Sequence, residues 1–303
     1  MTVALRITAD DYGIAPGVSA GIRELLDAGR LSGTSAMTTF DLWPMEGVRL
    51  RPFTKTSMLG VHLTLTDHAP LGPMPKLAPQ GRFPSFGGLA RAAWMGALDE
   101  TEIEVELRRQ IDAFQAVVGR APDYLDGHHH VQQLPVVRDV VIRLMRERMP
   151  EHAWVRTCVE SMGPILARRV GVSRAIAFAQ VGRALDAAAR AADVGTNEGF
   201  TGLYDFSPDV PYGERFERFV RRVGEGTALL VHPGWRDDVL RARDTLTAAR
   251  ENELRFLAGK EMPGMLTYAN ARVATRADLH PLPSAAIASE ADVAPSGSWG
   301  KRS

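Results

Sequence analysis

"VALRITADDYGIAPGVSAGIRELLDAG", residues 3–29, decides how the rest of the chain is read. Residues 3–9 are apolar or β-branched apart from Arg6, the pattern of a short strand covered on both faces. From Pro16 to Ala28, Val18, Ile22, Leu25 and Leu26 fall on one helical face, with Pro16 suited to the first turn and Gly29 to the stop. A buried strand followed at once by a helix is the repeating unit of a parallel α/β sheet. Asp10 and Asp11 stand at the joint, two like charges whose closeness demands a reason.

Outward from that unit the alternation continues. Further strands are expected at 31–40, 57–66, 153–160, 227–235 and 263–269, with a strand running into a loop over 123–135 and a short strand or turn at 200–206. Helices are expected at 101–118, 136–149, 161–193, 211–223 and 244–259. The first of these opens on a Thr101–Glu104 capping box and carries Leu107, Ile111, Phe114 and Val118 on one face. Residues 67–98, rich in Pro and Gly, read as a structured loop or lid that brings Phe83, Phe86 and Trp94 over a site. From Ala274 the chain turns rich in Ala, Ser and Pro, a disordered tail by composition. The reading is one α/β domain over 1–273, a distorted TIM-type (β/α) barrel of parallel strands, with a tail over 274–303.

Composition narrows the function. With 303 residues, 45% of them hydrophobic, the chain builds a sizeable core. Lys+Arg and Asp+Glu both number 36, so no basic surplus points to nucleic acid. Cys158 is the only cysteine, which rules out an internal disulfide and suits a reducing compartment. Acids interrupt the N-terminus before a signal peptide forms, and no stretch reaches the roughly 18–20 apolar residues of a membrane span. A cytoplasmic protein is expected. There is no G-x-G-x-x-G after the first strand, no phosphate-binding loop and no G-x-S-x-G.

Asp10–Asp11, His62, His128–His130 and His232 each lie at or near the C-terminal end of an expected strand. In a parallel barrel those ends share one mouth, the face that carries chemistry. Two imidazoles and a carboxylate suit a catalytic divalent metal with positions left open, and the second carboxylate then serves as general base. Strand alternation puts 126, 128 and 130 on one face and His129 behind, so His128 reads as a ligand and Asp126 and His130 as its supports or as substrate contacts. Tyr12 is expected to line the site. His232, before Pro233-Gly234, is suited to protonating a leaving group or stabilising developing charge. Trp235 and Trp94 are candidates for stacking on a sugar, while His68, His152 and His280 read as surface residues.

At these residues the chain resembles the YdjC/ChbG-like carbohydrate deacetylases. The segments that carry the likeness are "ITADDYG", "GVHLTLTD", "PLGPMPKL", "YLDGHHHVQQLP" and "LLVHPGW", in that order, over about residues 4–270. The resemblance implies a distorted TIM-type barrel and metal-dependent removal of an N-acetyl group from an amino sugar in an oligosaccharide or glycoconjugate. It implies one Mg2+ or Zn2+ ion on Asp11, His62 and His128, Asp10 as general base, and His232 in a catalytic or substrate-binding role. A homodimer is common in the family. Gln132 departs from the family's usual His-His-His-Val-His run, which bears on substrate contact and not on the ligand set. The alternatives are another metal-dependent hydrolase, such as a phosphoesterase using Arg6 and Arg156, or a non-enzymatic sugar-binding barrel.

Overall fold

The computed structural model describes residues 2–207 and 209–279. Strand β1 (Val3–Tyr12) is buried from Ala4 onward, as its apolar run requires of a central parallel strand. Helix α1 (Pro16–Asp27) packs Val18, Ile22, Leu25 and Leu26 inward. There follow β2 (Gly33–Ala36), α2 (Trp43–Val48), β3 (Met58–Leu63), α3 (Phe86–Trp94), α4 (Glu100–Val118), β4 (Tyr124–Gly127) and α5 (Val137–Arg148). The second half runs β5 (Trp154–Val155), α6 (Met162–Arg168), α7 (Val172–Ala191), β6 (Gly195–Thr196), β7 (Gly199–Thr201), α8 (Tyr212–Val220) and β8 (Thr227–Val231). It closes with α9 (Asp238–Arg243), α10 (Ala248–Ala258), α11 (Glu261–Tyr268) and β9 (Ala271–Val273).

Every ladder is parallel, and eight strands lie in the order β6-β5-β4-β3-β2-β1-β8-β7, with β9 on the first residues of β1. Neighbours in space are neighbours in sequence, with β8 beside β1, as in a (β/α) barrel. The exception is a seam: among the described residues no ladder joins β6 to β7. The Asn197 side chain spans it, accepting from the Thr157 amide at 2.7 Å and donating to the Gly199 carbonyl at 2.7 Å. The result is an α/β half-barrel of parallel strands ringed by helices, a TIM-like single domain.

Several expected elements change. Residues 263–268 belong to helix α11, whose first turn accommodates Pro263 because no amide donor is needed there; the strand follows at Ala271–Val273. The expected helix 161–193 is two helices, broken where Arg169 and Gly171 take positive φ. The N-cap of α4 is Asp99, whose side chain accepts from the Glu102 amide, and Thr101 lies inside the helix. The strand expected to run into a loop over 123–135 does so after Gly127, where His129 and His130 both adopt left-handed backbone.

The loop 67–98 contains α3 and is tied to α4. Glu106 accepts from the Leu71 amide, and Glu102 accepts from the amides of Lys76 and Leu77, each at 2.9 Å. Ala274, read as the start of a tail, is buried and donates to the Leu5 carbonyl, and Arg276 bonds Asp123. The expected tail from His280 onward lies outside the described residues. Among the described residues no helix is long and apolar enough to cross a membrane.

Candidate metal centre

The two aspartates meet at one centre because β1 is irregular there. Its register against β2 advances three residues, Ala9 to Tyr12, while β2 advances two, Thr34 to Ala36. Asp11 takes φ +66, a left-handed backbone rare for any residue but glycine. Alternation would have sent the two side chains to opposite faces of β1. The bulge aims both inward, with Asp10 2% and Asp11 1% exposed.

His62 arrives from β3 in direct register with Asp126 of β4. Its Nδ1 lies 2.7 Å from Asp126 Oδ1, and Ser35 Oγ donates to Asp126 Oδ2 at 2.9 Å. An ionised carboxylate only accepts, so Nδ1 carries the proton and Nε2 turns to Asp11 Oδ1, 3.2 Å away. His128 follows β4, its Nδ1 3.1 Å from the same oxygen. Asp11, His62 and His128 thus offer one carboxylate oxygen and two ring nitrogens, all within 4.8 Å of one another. Bonds of about 2.0–2.2 Å to a single ion span the 3.1 and 3.2 Å between Asp11 and the two rings.

Electrostatics point the same way. Nε2 of His62 and Oδ1 of Asp11 face each other as two acceptors, which holds only with a cation between them, a proton or a metal. Burial works against a charged imidazole at His62, but the carboxylates of Asp126 and Asp10 prevail and raise its pKa to about 10. Asp11 is held well below the usual carboxylate range despite its burial, through Arg250 and then His128. The donor set fits a divalent ion.

Asp10 sits beside this set. Arg156 grips it with two bonds, Nη1 to Oδ1 and Nη2 to Oδ2, each 2.6 Å, and reaches Asp126 Oδ2 at 3.1 Å. His232 ends β8 with Nε2 4.0 Å from Asp10 Oδ2. Burial pushes its imidazole down to about 4, so the ring is neutral. Its amide donates to Glu253 at 2.6 Å.

Other expected contacts lie elsewhere. Tyr12 is fully buried behind the sheet, its hydroxyl donating to the Glu46 carbonyl at 2.9 Å and accepting from Arg23 at 2.8 Å. Trp235 lies against α1 and α10, donating to Glu24 at 2.9 Å with Arg255 over its ring. His130 is buried against Phe178 and Phe200, because its left-handed backbone breaks the alternation that put it beside His128. His129, expected behind, is instead the exposed one, its Nδ1 3.0 Å from Thr66 Oγ1.

Gln132 is buried and donates to the Arg156 carbonyl. Arg156 is spent on Asp10 and Asp126, and Arg6 is buried over the Trp154 ring. His68, read as a surface residue, is buried with its ring centroid 5.5 Å from that of His128. A cavity of about 1390 Å³ lies at the seam beside β7 and α8, and none of the Asp–His set lines it.

A model of the YdjC-like protein family matches residues 4–268. The chain belongs to the YdjC-like family. Relatives called chitooligosaccharide deacetylase occur in Yersinia pestis bv. Antiqua (strain Angola) and Yersinia pseudotuberculosis serotype O:3 (strain YPIII). Each is 34% identical over 158 residues, which covers 49% of this chain and 58% of the relative. The match therefore spans little more than half the length of those relatives. A solved structure from Enterococcus faecalis V583, named for cellobiose-phosphate cleavage, superposes with TM-score 0.68 at 23% identity, covering 90% of this chain and 97% of that one. That likeness is one of fold.

In this YdjC-like chain the residues that reading the sequence missed are Ser35, Arg156 as a clamp, Arg250 and Glu253. Arg250 donates to Asp11 Oδ2 at 2.5 Å from α10, which read only as a helix. Arg250 and Glu253, one turn apart, are both buried on the face that α10 turns to the sheet, which their charge alone does not announce. His68 had a signal, since it follows His62 closely past the same strand end.

Proposed function

We propose that this chain is a divalent-metal-dependent deacetylase that removes an N-acetyl group from an amino sugar, with N-acetylated chitooligosaccharides as its substrate class. One observation carries the reading: the β1 bulge turns adjacent carboxylates to one centre, where Asp11 joins two imidazoles and Asp10 is set apart by Arg156. The names of the Yersinia relatives agree with it.

Asp11, His62 and His128 would hold the ion, which supplies Lewis acidity to the acetamide carbonyl and to the attacking water. Asp10 takes the proton of that water as its oxygen adds to the carbonyl carbon. Arg156 keeps both Asp10 oxygens in place through that step. The carbon–nitrogen bond then breaks, acetate departs, and the amine leaves with the proton that Asp10 returns. Neutral His232, 4.0 Å from Asp10, stands where it can donate to the developing oxyanion or to substrate. The reading extends to a cytoplasmic location, in keeping with the single buried Cys158, and to a homodimer, which light scattering checks.

The test pairs metal analysis of purified protein with mass spectrometry of N-acetylated chitooligosaccharides. One divalent ion per chain and a product lighter by one acetyl group are expected. A metal-replete protein that releases no acetate from these sugars, yet hydrolyses phosphate esters, would replace this reading with the phosphoesterase.

A further inference from the structure

The two oxygens of Asp11 have different neighbours. Oδ1 faces His62 and His128 at 3.2 and 3.1 Å, whereas Oδ2 accepts from Arg250 Nη2 at 2.5 Å. The same nitrogen donates to Asp244 Oδ2 at 2.6 Å, and Arg250 Nε donates to the Leu246 carbonyl at 2.9 Å. Asp244 is fixed in turn, its amide donating to the Leu240 carbonyl at 2.8 Å and its Oδ1 accepting from the Leu246 amide at 2.9 Å. Arg250 is 1% exposed. The guanidinium is therefore locked at the end of β1 by the junction of α9 and α10.

From this geometry we infer that Arg250 is a positioning residue that restricts Asp11 to one metal-facing oxygen and holds the affinity for a divalent ion below what the carboxylate cluster alone would give. The inference rests on the metal reading proposed above. An Oδ2 committed to Arg250 does not chelate. A buried cation on the far side of the ligand carboxylate repels an incoming divalent ion, with little solvent to screen it. A carboxylate that shares its charge with a guanidinium is also a weaker donor, which leaves the ion a stronger Lewis acid. Asp244 moderates the effect by taking part of the guanidinium's charge. Removing Arg250 and removing Asp244 must therefore move metal affinity in opposite directions.

The experiment titrates Zn2+ into metal-stripped full-length protein by calorimetry, for the wild type and for Arg250→Met, Arg250→Lys and Asp244→Asn. Arg250→Met is expected to tighten Zn2+ binding about tenfold or more, and Asp244→Asn to weaken it by a similar factor. Arg250→Lys keeps the charge and is expected within about threefold of wild type. Metal-free Arg250→Met should melt at lower temperature and recover on adding Zn2+, because the ion replaces the missing cation.

If Arg250→Met weakens Zn2+ binding, Arg250 merely shapes the site and the inference is wrong. Should that variant fail to fold, Asp244→Asn decides alone: unchanged or tighter binding overturns the inference. Wild-type protein that binds no Zn2+ removes the metal reading and this inference with it, whereas wild-type binding with the wrong signs removes only the inference.

Discussion

Arg156 bonds both oxygens of Asp10, so Asp10→Asn keeps the shape of the side chain and loses its basicity and one of the two bonds. We expect turnover to fall by about 10²–10⁴ with metal content unchanged, measured as acetate release against metal stoichiometry. Asp126→Asn acts through a different atom. It weakens the grip on His62 Nδ1 and frees the ring to choose the wrong tautomer, so metal affinity should drop by about 10–100-fold. At this scale the sequence was legible for residue types at strand ends, which named Asp10, Asp11, His62 and His128. It was not legible for contacts between distant positions, such as Arg156 on Asp10 or Arg250 on Asp11. His130 was misplaced for a local reason, because the positive φ of His129 and of His130 itself breaks the two-residue alternation that assigned it to the mouth. Tyr12, expected to line the site, follows the positive-φ Asp11 and is buried instead.

Among elements, α4 was read best, because Leu107, Ile111, Phe114 and Val118 repeat at helical spacing and all four are buried. Its start was misread by two residues, since Asp99 and Thr101 both suit an N-cap and only tertiary structure chooses between them. Asp99→Ala should therefore lower the denaturation midpoint, whereas Thr101→Ala should leave it nearly unchanged, as denaturant melts would record. The loop 67–98 was read as a lid from composition, which does not reveal what ties it down. Glu102 accepts two of its amides, so Glu102→Ala should leave both unpaired and raise hydrogen exchange around Lys76 and Leu77 while exchange in β1 stays slow. Unchanged exchange would mean that α3 and its packing, not Glu102, hold the loop.

For the whole molecule, the order of strands followed from the repeated strand–helix unit, but the seam did not, because a missing ladder leaves no mark on periodicity. Charge balance was legible as a total; where the buried charges sit was not, and their placement sets a pH profile. Burial lowers His68 to about 4, His232 to about 4 and His130 well below its usual value. Unfolded imidazoles titrate near about 6.5, so below that pH the unfolded chain takes up protons that the folded chain refuses, and stability falls as pH falls. Glu253 opposes this: burial raises its carboxyl to about 7, so its contribution favours the folded state at low pH and is lost as pH rises through about 7. His129, lowered to about 3, adds to the imidazoles, so near pH 5 they outnumber the one opposing carboxyl and unfolding takes up protons. His62, raised to about 10, is protonated in both states below about 6.5, and its stabilisation is lost between there and about 10. Chelator-treated protein should accordingly melt highest near neutrality and at lower temperature on both sides. A divalent ion that takes the place of the His62 proton should flatten the alkaline limb and release about one proton per ion at neutral pH. Calorimetry in buffers of different ionisation enthalpy reads both quantities, and a melting temperature that stays flat from pH 5 to 10 without metal would mean that these buried groups are not held in the charge states that their surroundings dictate.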